Sequence, residues 1–272
     1  MQFISDIHLE FRKTPPIIDN NAEILALLGD IGKPLTDIYK DFIKDMSNKF
    51  RFILLITGNH EYYNSNHTKQ QIDEKLDEYV KSLCNKNVYF LNNKSIILPY
   101  KINNEYIDMK FIGSTLWSSI KNNSFFIMTQ ICDYQHIKIY DEQKNRKKSI
   151  TTYHTNKWHN DAYDYIDNEI YNTNDNIPII MLSHHSPLNI NIIHGEYADN
   201  GLETAYSTDL SHLLDKYKYK KIIAWFYGHT HVPTEFYYDK TFISSNPLGY
   251  PDENEKIKCN VNKVYNKIKI EV

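Results

Sequence analysis

Residues 52–61 read FILLITGNHE: five apolar side chains, Phe52–Ile56, run straight into Thr57-Gly58-Asn59-His60-Glu61. An unbroken apolar run of this length suits a strand buried on both faces. The abrupt change to glycine and polar residues marks its carboxyl end. The same figure recurs four times. Met1–Ile4 ends in Ser5-Asp6-Ile7-His8, and Ile24–Leu28 ends in Gly29-Asp30. Ile177–Leu182 ends in Ser183-His184-His185, and Ile222–Tyr227 ends in Gly228-His229-Thr230-His231. In open α/β sheets, ligands bind beyond the carboxyl ends of the strands.

Helical patterns lie between these runs. Leu35–Met46 separates the second from the third. Thr68–Leu83 carries Ile72, Leu76, Tyr79, Val80 and Leu83 on one stripe. Thr152–Tyr171 and Ser207–Tyr217 are further helices, the last with Asp209 or Ser207 as its cap. Strands alternating with helices predict βαβ units and a largely parallel sheet. Tyr106–Gly113, Thr234–Tyr238, Thr241–Ser245 and Val264–Val272 read as strands with little helix between them, and a second sheet is their simple home. Ser118–Ile150 shows no firm period. It is polar, with a basic cluster at Lys144–Lys148, and reads as a long loop or insertion. At about 100–200 residues per domain, the expectation is one domain spanning 1–272, with that irregular segment near 118–150.

Composition excludes several classes. The chain has 272 residues, with 31 Lys+Arg against 34 Asp+Glu and a formal charge of −3. Hydrophobic content of 41% and charged content of 24% belong to a globular protein rather than a disordered one. The acidic balance argues against a dedicated nucleic-acid binder, so nucleic acid enters only as a substrate. Cys84, Cys132 and Cys259 are odd in number and lack CxxC spacing, which reads as free thiols in a reducing compartment. There is no run of ~18 apolar residues to span a membrane and no basic-then-apolar leader. An intracellular, cytoplasmic protein is expected.

The polar clusters carry a donor set. Asp6, Asp30, Asn59 and the imidazoles of His8, His184, His229 and His231 are hard or borderline metal ligands, and no cysteine joins them. Oxygen and nitrogen donors suit Mn, Fe, Zn, Co or Mg rather than a thiolate site. Seven groups are too many for one tetrahedral ion with an open position. They suit two ions sharing a carboxylate. Two ions ~3.5–4 Å apart clamp the attacking and leaving oxygens of a phosphoryl displacement and generate hydroxide near neutral pH.

The motifs D-x-H (Asp6–His8), G-D (Gly29-Asp30), G-N-H-E (Gly58–Glu61), H-H-x-P (His184–Pro187) and G-H-x-H (Gly228–His231) resemble those of the calcineurin-like metallophosphoesterase superfamily. They occur in the superfamily's order over residues 6 to 231. The resemblance implies an α/β fold of two packed mixed β-sheets flanked by helices, a four-layer sandwich. It implies two divalent or mixed-valence metal ions. Asp6, His8 and His231 would hold the first, Asn59, His184 and His229 the second, and Asp30 would bridge them. His60 would be no ligand but a general acid or phosphate stabiliser beside the leaving oxygen, a role that suits a group titrating near neutral pH.

Other residues stand nearer the margin. His184 holds the first position of the H-x-P-type motif, which leaves His185 to support it or face the surface, and makes His185 a candidate substrate contact. His194, in the loop Ile192–Glu196, is a candidate substrate contact. Arg12, four residues past His8, is another, because its guanidinium offers a bidentate fork to phosphate. Glu61 reads as a residue that orients its loop by hydrogen bonds. Asp133-Tyr134 lies in the aperiodic segment. His67, His136, His154, His159 and His212 read as ordinary residues.

Comparison with subfamily patterns narrows the expected activity. Ser/Thr protein phosphatases of the superfamily continue Gly-Asp into V-D-R-G, whereas here Ile31-Gly32-Lys33-Pro34 follows. Its double-strand-break nucleases usually carry G-N-H-D and an added domain; here Glu61 follows His60. Its RNA-debranching members have a cysteine in the first motif region, and here the cysteines lie elsewhere. The H-H-x-P variant and compact size are similar to the small phosphodiesterase branch. The expected function is hydrolysis of a small or nucleotide-like phosphodiester or phosphomonoester by a metal-bridging hydroxide. A nuclease or nucleic-acid-end phosphatase, a protein phosphatase and a non-catalytic metal-binding scaffold are the alternatives. The expected partner is the phosphoester substrate, with no membrane, and the sequence leaves protein partners open.

Overall fold

The computed structural model describes residues 1–102, 104–190, 201–253, 257 and 259–265. Three of the five apolar runs form strands of one sheet: β1 (Gln2–Ile4), β2 (Ile24–Leu28) and β3 (Phe52–Ile56). A short fourth strand, β4 (Val88–Phe90), extends it, and the order is β1-β2-β3-β4 with every ladder parallel. Helices α1 (Asp37–Lys49) and α2 (Lys69–Ser82) make the crossovers. Thr68 starts α2 with a capping box: its side chain accepts from Gln71 N while Gln71 accepts from Thr68 N, which satisfies two otherwise orphaned donors.

The hairpin β5 (Lys94–Ile102) and β6 (Glu105–Ser114) leads into the second sheet. Residues 118–150 carry two short helices, α3 (Ser124–Gln130) and α4 (Asp133–His136), and a hairpin, β7 (Lys138–Asp141) with β8 (Arg146–Ser149). Then come α5 (Thr152–Asn172), β9 (Ile179–Ser183), α6 (Glu203–Tyr206), α7 (Ser211–Lys216), β10 (Ile222–Tyr227), β11 (Thr234–Tyr238) and β12 (Thr241–Ser245). The second sheet has the order β11-β12-β10-β9-β6-β5. Its centre is parallel, and its two hairpins, β5–β6 and β11–β12, are antiparallel.

The apolar runs are continuous because each sheet is covered on both faces. Along β2, Ala26 and Leu28 join Ile180, Leu182, Ala224 and Phe226 of the other sheet in one core. Leu25 and Leu27 point the other way, onto Tyr39, Phe42 and Ile43 of α1 and Leu76 of α2. On the far side, Ile179 and Met181 of β9 pack with Ala162 and Ile166 of α5 and Leu213 of α7. The period-2 alternation of a strand thus builds four layers: helices, sheet, sheet, helices.

Three expectations need correction. The runs that became β9 and β10 do not continue the first parallel sheet. They are central strands of the second one, because apolarity on both faces specifies cover but not neighbours. The helix expected from Ser207 begins at Ser211. Ser207 is held extended by a bridge to Ser186 and donates its hydroxyl to Asn189, while Asp209 accepts from Ser211 N. The expected strand Val264–Val272 is represented by an antiparallel bridge from Val264 to Gln2; residues 266–272 lie outside the described residues. Among the described residues no helix is long and apolar enough to cross a membrane.

Candidate metal centre

All five motif loops leave the carboxyl ends of strands where the two sheets meet. Asp6 and His8 follow β1, Asp30 follows β2, and Asn59 and His60 follow β3. From the other sheet, His184 follows β9 and His229 and His231 follow β10. The sheets are stitched together here. His184 Nδ1 donates to Leu28 O across the interface (2.8 Å), and His229 N donates to the Asp6 carboxylate (3.0–3.1 Å). Glu61 ties its own loop to the one after β2, accepting from Gly58 N, Asp30 N and Ile31 N at 2.7–3.0 Å. Burial and neighbouring Asp30 push its carboxyl up to about 8, while these three N–H donors favour the anion.

The loops are tight. Asp6, His8, Asp30, His229 and His231 all have φ between 50° and 70°. Non-glycine residues in this left-handed region cost roughly 1–3 kcal/mol each and persist where the surroundings over-determine them. Gly58 meets a different demand. A Cβ there would collide with Asp30 Oδ1 and His184 Nε2, so only glycine lets the loop come this close.

The donors fall into overlapping groups. Asp6, His8 and His231 form one, and Asp30, His184 and His229 form another; within each group the donor atoms lie within 4.8 Å of one another. A third group, His8, Asp30 and His60, joins them. Asp30 stands between the first two, with Oδ2 3.9 Å from His8 Nε2 and Oδ1 3.5 Å from His184 Nε2. Asn59 Oδ1 is 3.1 Å from His184 Nε2. The fold therefore brings all seven motif donors into one cluster, buried except at the half-buried His229 and His231.

The imidazoles are oriented for cations. His184 Nδ1 is occupied by a carbonyl, which can only accept, so Nε2 carries the lone pair. His8 Nδ1 faces Glu10 at 3.3 Å, and His231 Nδ1 faces Glu253 at 2.7 Å. With both Nδ1 atoms donating to carboxylates, the Nε2 lone pairs of His8 and His231 point at each other across 3.2 Å. That arrangement beside two carboxylates fits a divalent ion with oxygen and nitrogen ligands. A proton competes for the same position. Burial opposes charge on His231, yet hydrogen bonds to Asp6 and Glu253 hold it up to about 10. Burial likewise opposes charge on His184, but Asp30 and Asp6 raise it to about 9.

His60 sits at the rim of this cluster. Its main-chain N donates to Asp30 Oδ1 (2.8 Å), Nδ1 meets Glu10 (3.0 Å) and Nε2 meets the Tyr250 hydroxyl (3.1 Å), and the ring stacks on Tyr63 at 4.2 Å. Burial lowers its basicity, but Asp30 and Glu10 override that and raise it.

The remaining candidates are placed as follows. His185 is buried with Nδ1 on Thr115 O, its ring 4.1 Å from His229 and 5.4 Å from Trp117; it joins none of the donor groups. Arg12 donates Nε to Ile7 O and a terminal nitrogen to Gly249 O, linking the first motif loop to the turn after β12. His194 lies outside the described residues. Glu10, Tyr63, Tyr250 and Glu253 were not singled out from the sequence. Glu10 had a signal, a carboxylate two residues past a motif histidine. Tyr250 and Glu253 belong to no motif and arrive through the fold.

The fold and the donor cluster define a metallophosphoesterase-type architecture. The chain belongs to the calcineurin-like phosphoesterase family, whose profile matches residues 3–233. It is similar to "Uncharacterized protein L509" of Acanthamoeba polyphaga mimivirus, at 38% identity over 93% of this chain and 92% of that protein. Among solved structures it is similar in fold to the phosphopantetheinyl hydrolase PptH from Mycobacterium tuberculosis. The TM-score is 0.69 at 15% identity, over 94% of this chain and 91% of that one. Family membership implies metal-dependent hydrolysis of a phosphoester.

Proposed function

We propose that the protein hydrolyses small or nucleotide-like phosphodiesters or phosphomonoesters with two metal ions. Asp6, His8 and His231 hold one ion, Asn59, His184 and His229 the other, and Asp30 is shared. The observation that carries this reading is the pair of donor groups with Asp30 between them. Bound there, two ions supply a water activated at neutral pH and a clamp on the phosphoryl oxygens.

The chain's own residues do the rest. Glu10 holds the His60 ring through Nδ1, which leaves Nε2 as the atom that presents a proton. That nitrogen faces the Tyr250 hydroxyl, so an ester oxygen of the substrate can take the hydroxyl's place. There His60 Nε2–H donates to the departing oxygen. General acid catalysis of this kind contributes typically ~10²–10⁴-fold. Tyr250, Tyr63 and the 57%-exposed Phe11 line the approach to His60 with aromatic rings. No arginine follows Gly29-Asp30, which disfavours a protein-phosphatase clamp.

Turnover of bis(p-nitrophenyl) phosphate and p-nitrophenyl phosphate, with Mn, Fe, Co, Zn or Mg supplied, tests the reading. Metal-dependent release of nitrophenol is expected. No turnover with any of the five overturns catalysis and leaves a metal-binding scaffold. A second panel of cyclic nucleotides, phosphopeptides and oligonucleotides assigns the substrate class. Salt-dependent KM on oligonucleotides alone would move the assignment to a nuclease.

A further inference from the structure

The segment 118–150 has no place in the motif set, yet it delivers a buried carboxylate to the metal cluster. Asp133, the first residue of α4, is buried, and its Oδ1 accepts from Asn59 Nδ2 at 2.9 Å. The Tyr63 hydroxyl accepts from the same Asn59 Nδ2 at 3.0 Å and donates to the same Asp133 oxygen. The NH₂ end of Asn59 is thereby turned toward two acceptor oxygens, and Asn59 Oδ1 is left facing His184 Nε2.

An asparagine amide has two ends of nearly the same shape, and only the oxygen end ligates a cation. A carboxylate can only accept, so Asp133 accommodates the NH₂ end and rejects the oxygen end. Apolar packing holds this arrangement in place. Tyr134, Ile137 and Ile150 of the segment share a cluster with Tyr62, Tyr63 and Ile72. We propose that Asp133, with Tyr63, is a positioning residue that fixes the amide of Asn59 oxygen-inward, and so couples segment 118–150 to metal binding at the Asn59/His184/His229 site. This rests on the two-ion reading above.

Partners that orient a ligand typically account for ~10–100-fold in metal affinity. Calorimetric titration of the metal-free full-length protein with Mn²⁺ tests the proposal, with thermal melting alongside. Asp133→Ala is expected to weaken one of two sites by about 10–100-fold and leave the other near wild type. Tyr63→Phe should weaken the same site less. Asp133→Asn should recover much of the affinity, because an amide oxygen can still accept from Asn59 and Tyr63. If Asp133→Ala does not fold, Tyr63→Phe and Asp133→Asn carry the test. Unchanged affinity at both sites in the variants overturns the proposal. So does equal weakening of both sites with a fall in melting temperature, which would mark a packing role alone. A wild-type protein that binds no pair of ions overturns the two-ion reading itself.

Discussion

The Nε2 atoms of His8 and His231 face each other at 3.2 Å, and each ring is gripped from behind by a glutamate, Glu10 and Glu253 respectively. Two lone pairs directed at each other repel unless a cation or proton lies between them. Metal should therefore stabilise the fold. At a free metal concentration 100 times Kd, linkage gives about 2.7 kcal/mol, read as a rise in melting temperature on adding Mn²⁺ and its reversal by EDTA. His231→Ala should abolish most of that response. A melting temperature indifferent to metal would contradict it.

His60 lies at the cluster's rim but outside the proposed ligand set. His60→Ala should keep the metal content of the wild type and lower kcat by roughly 10²–10⁴-fold. The loss should be greatest for poor leaving groups, since these need the proton most. Glu10→Gln should move the rate in the same direction. A rate that falls equally for good and poor leaving groups would remove His60 as the acid.

Gly58 offers a steric test. A methyl group there would strike Asp30 Oδ1 and His184 Nε2. Gly58→Ala should lose bound metal, measured by elemental analysis, and activity with it, while its far-ultraviolet circular dichroism stays that of the wild type. Full metal content in Gly58→Ala would show that the loop has room to retreat.

A pH dependence unconnected with the metal cluster comes from His159 of α5. It is buried with Nδ1 on Trp117 O. Burial lowers its pKa below the ordinary 6.5, with nearby Lys121 acting in the same direction. The unfolded chain therefore takes up this proton first. The neutral ring's contribution to stability is complete above about pH 6.5 and is lost as pH falls from there through the lowered folded value. Thermal melting of His159→Gln from pH 7.5 to 5 should fall less steeply than wild type. Parallel curves would exclude His159 as the cause.

Local features of the chain were legible from sequence. FILLITGNHE already contains a strand, its end and the glycine that permits close approach, because strand burial and turn chemistry act over a few residues. The motif donors lie together for the same reason: each is fixed by the strand before it. The partition of strands was not legible. Ile179–Ser183 and Phe52–Ile56 have the same apolar pattern and sit in different sheets, and neighbour choice depends on the whole chain. β5 was not read as a strand; it carries Pro99, which it tolerates because it lies at the sheet edge. Asp133 was noticed only as part of an aperiodic stretch. Its importance comes from Asn59, 74 residues away, a distance that no local pattern spans.

The division of the donors between two sheets also sets an order in time. Asp6 and His229 are 223 residues apart in the chain, and the second sheet contributes His184, His229 and His231. During synthesis the early loops emerge with Asp6, His8, Asp30 and Asn59, four of the seven donors. His184 comes with β9, and His229 and His231 arrive only once β10 has emerged and docked. If the proposed pair of ions binds there, loading would be a late event, and it would certify a chain made through at least its fifth motif.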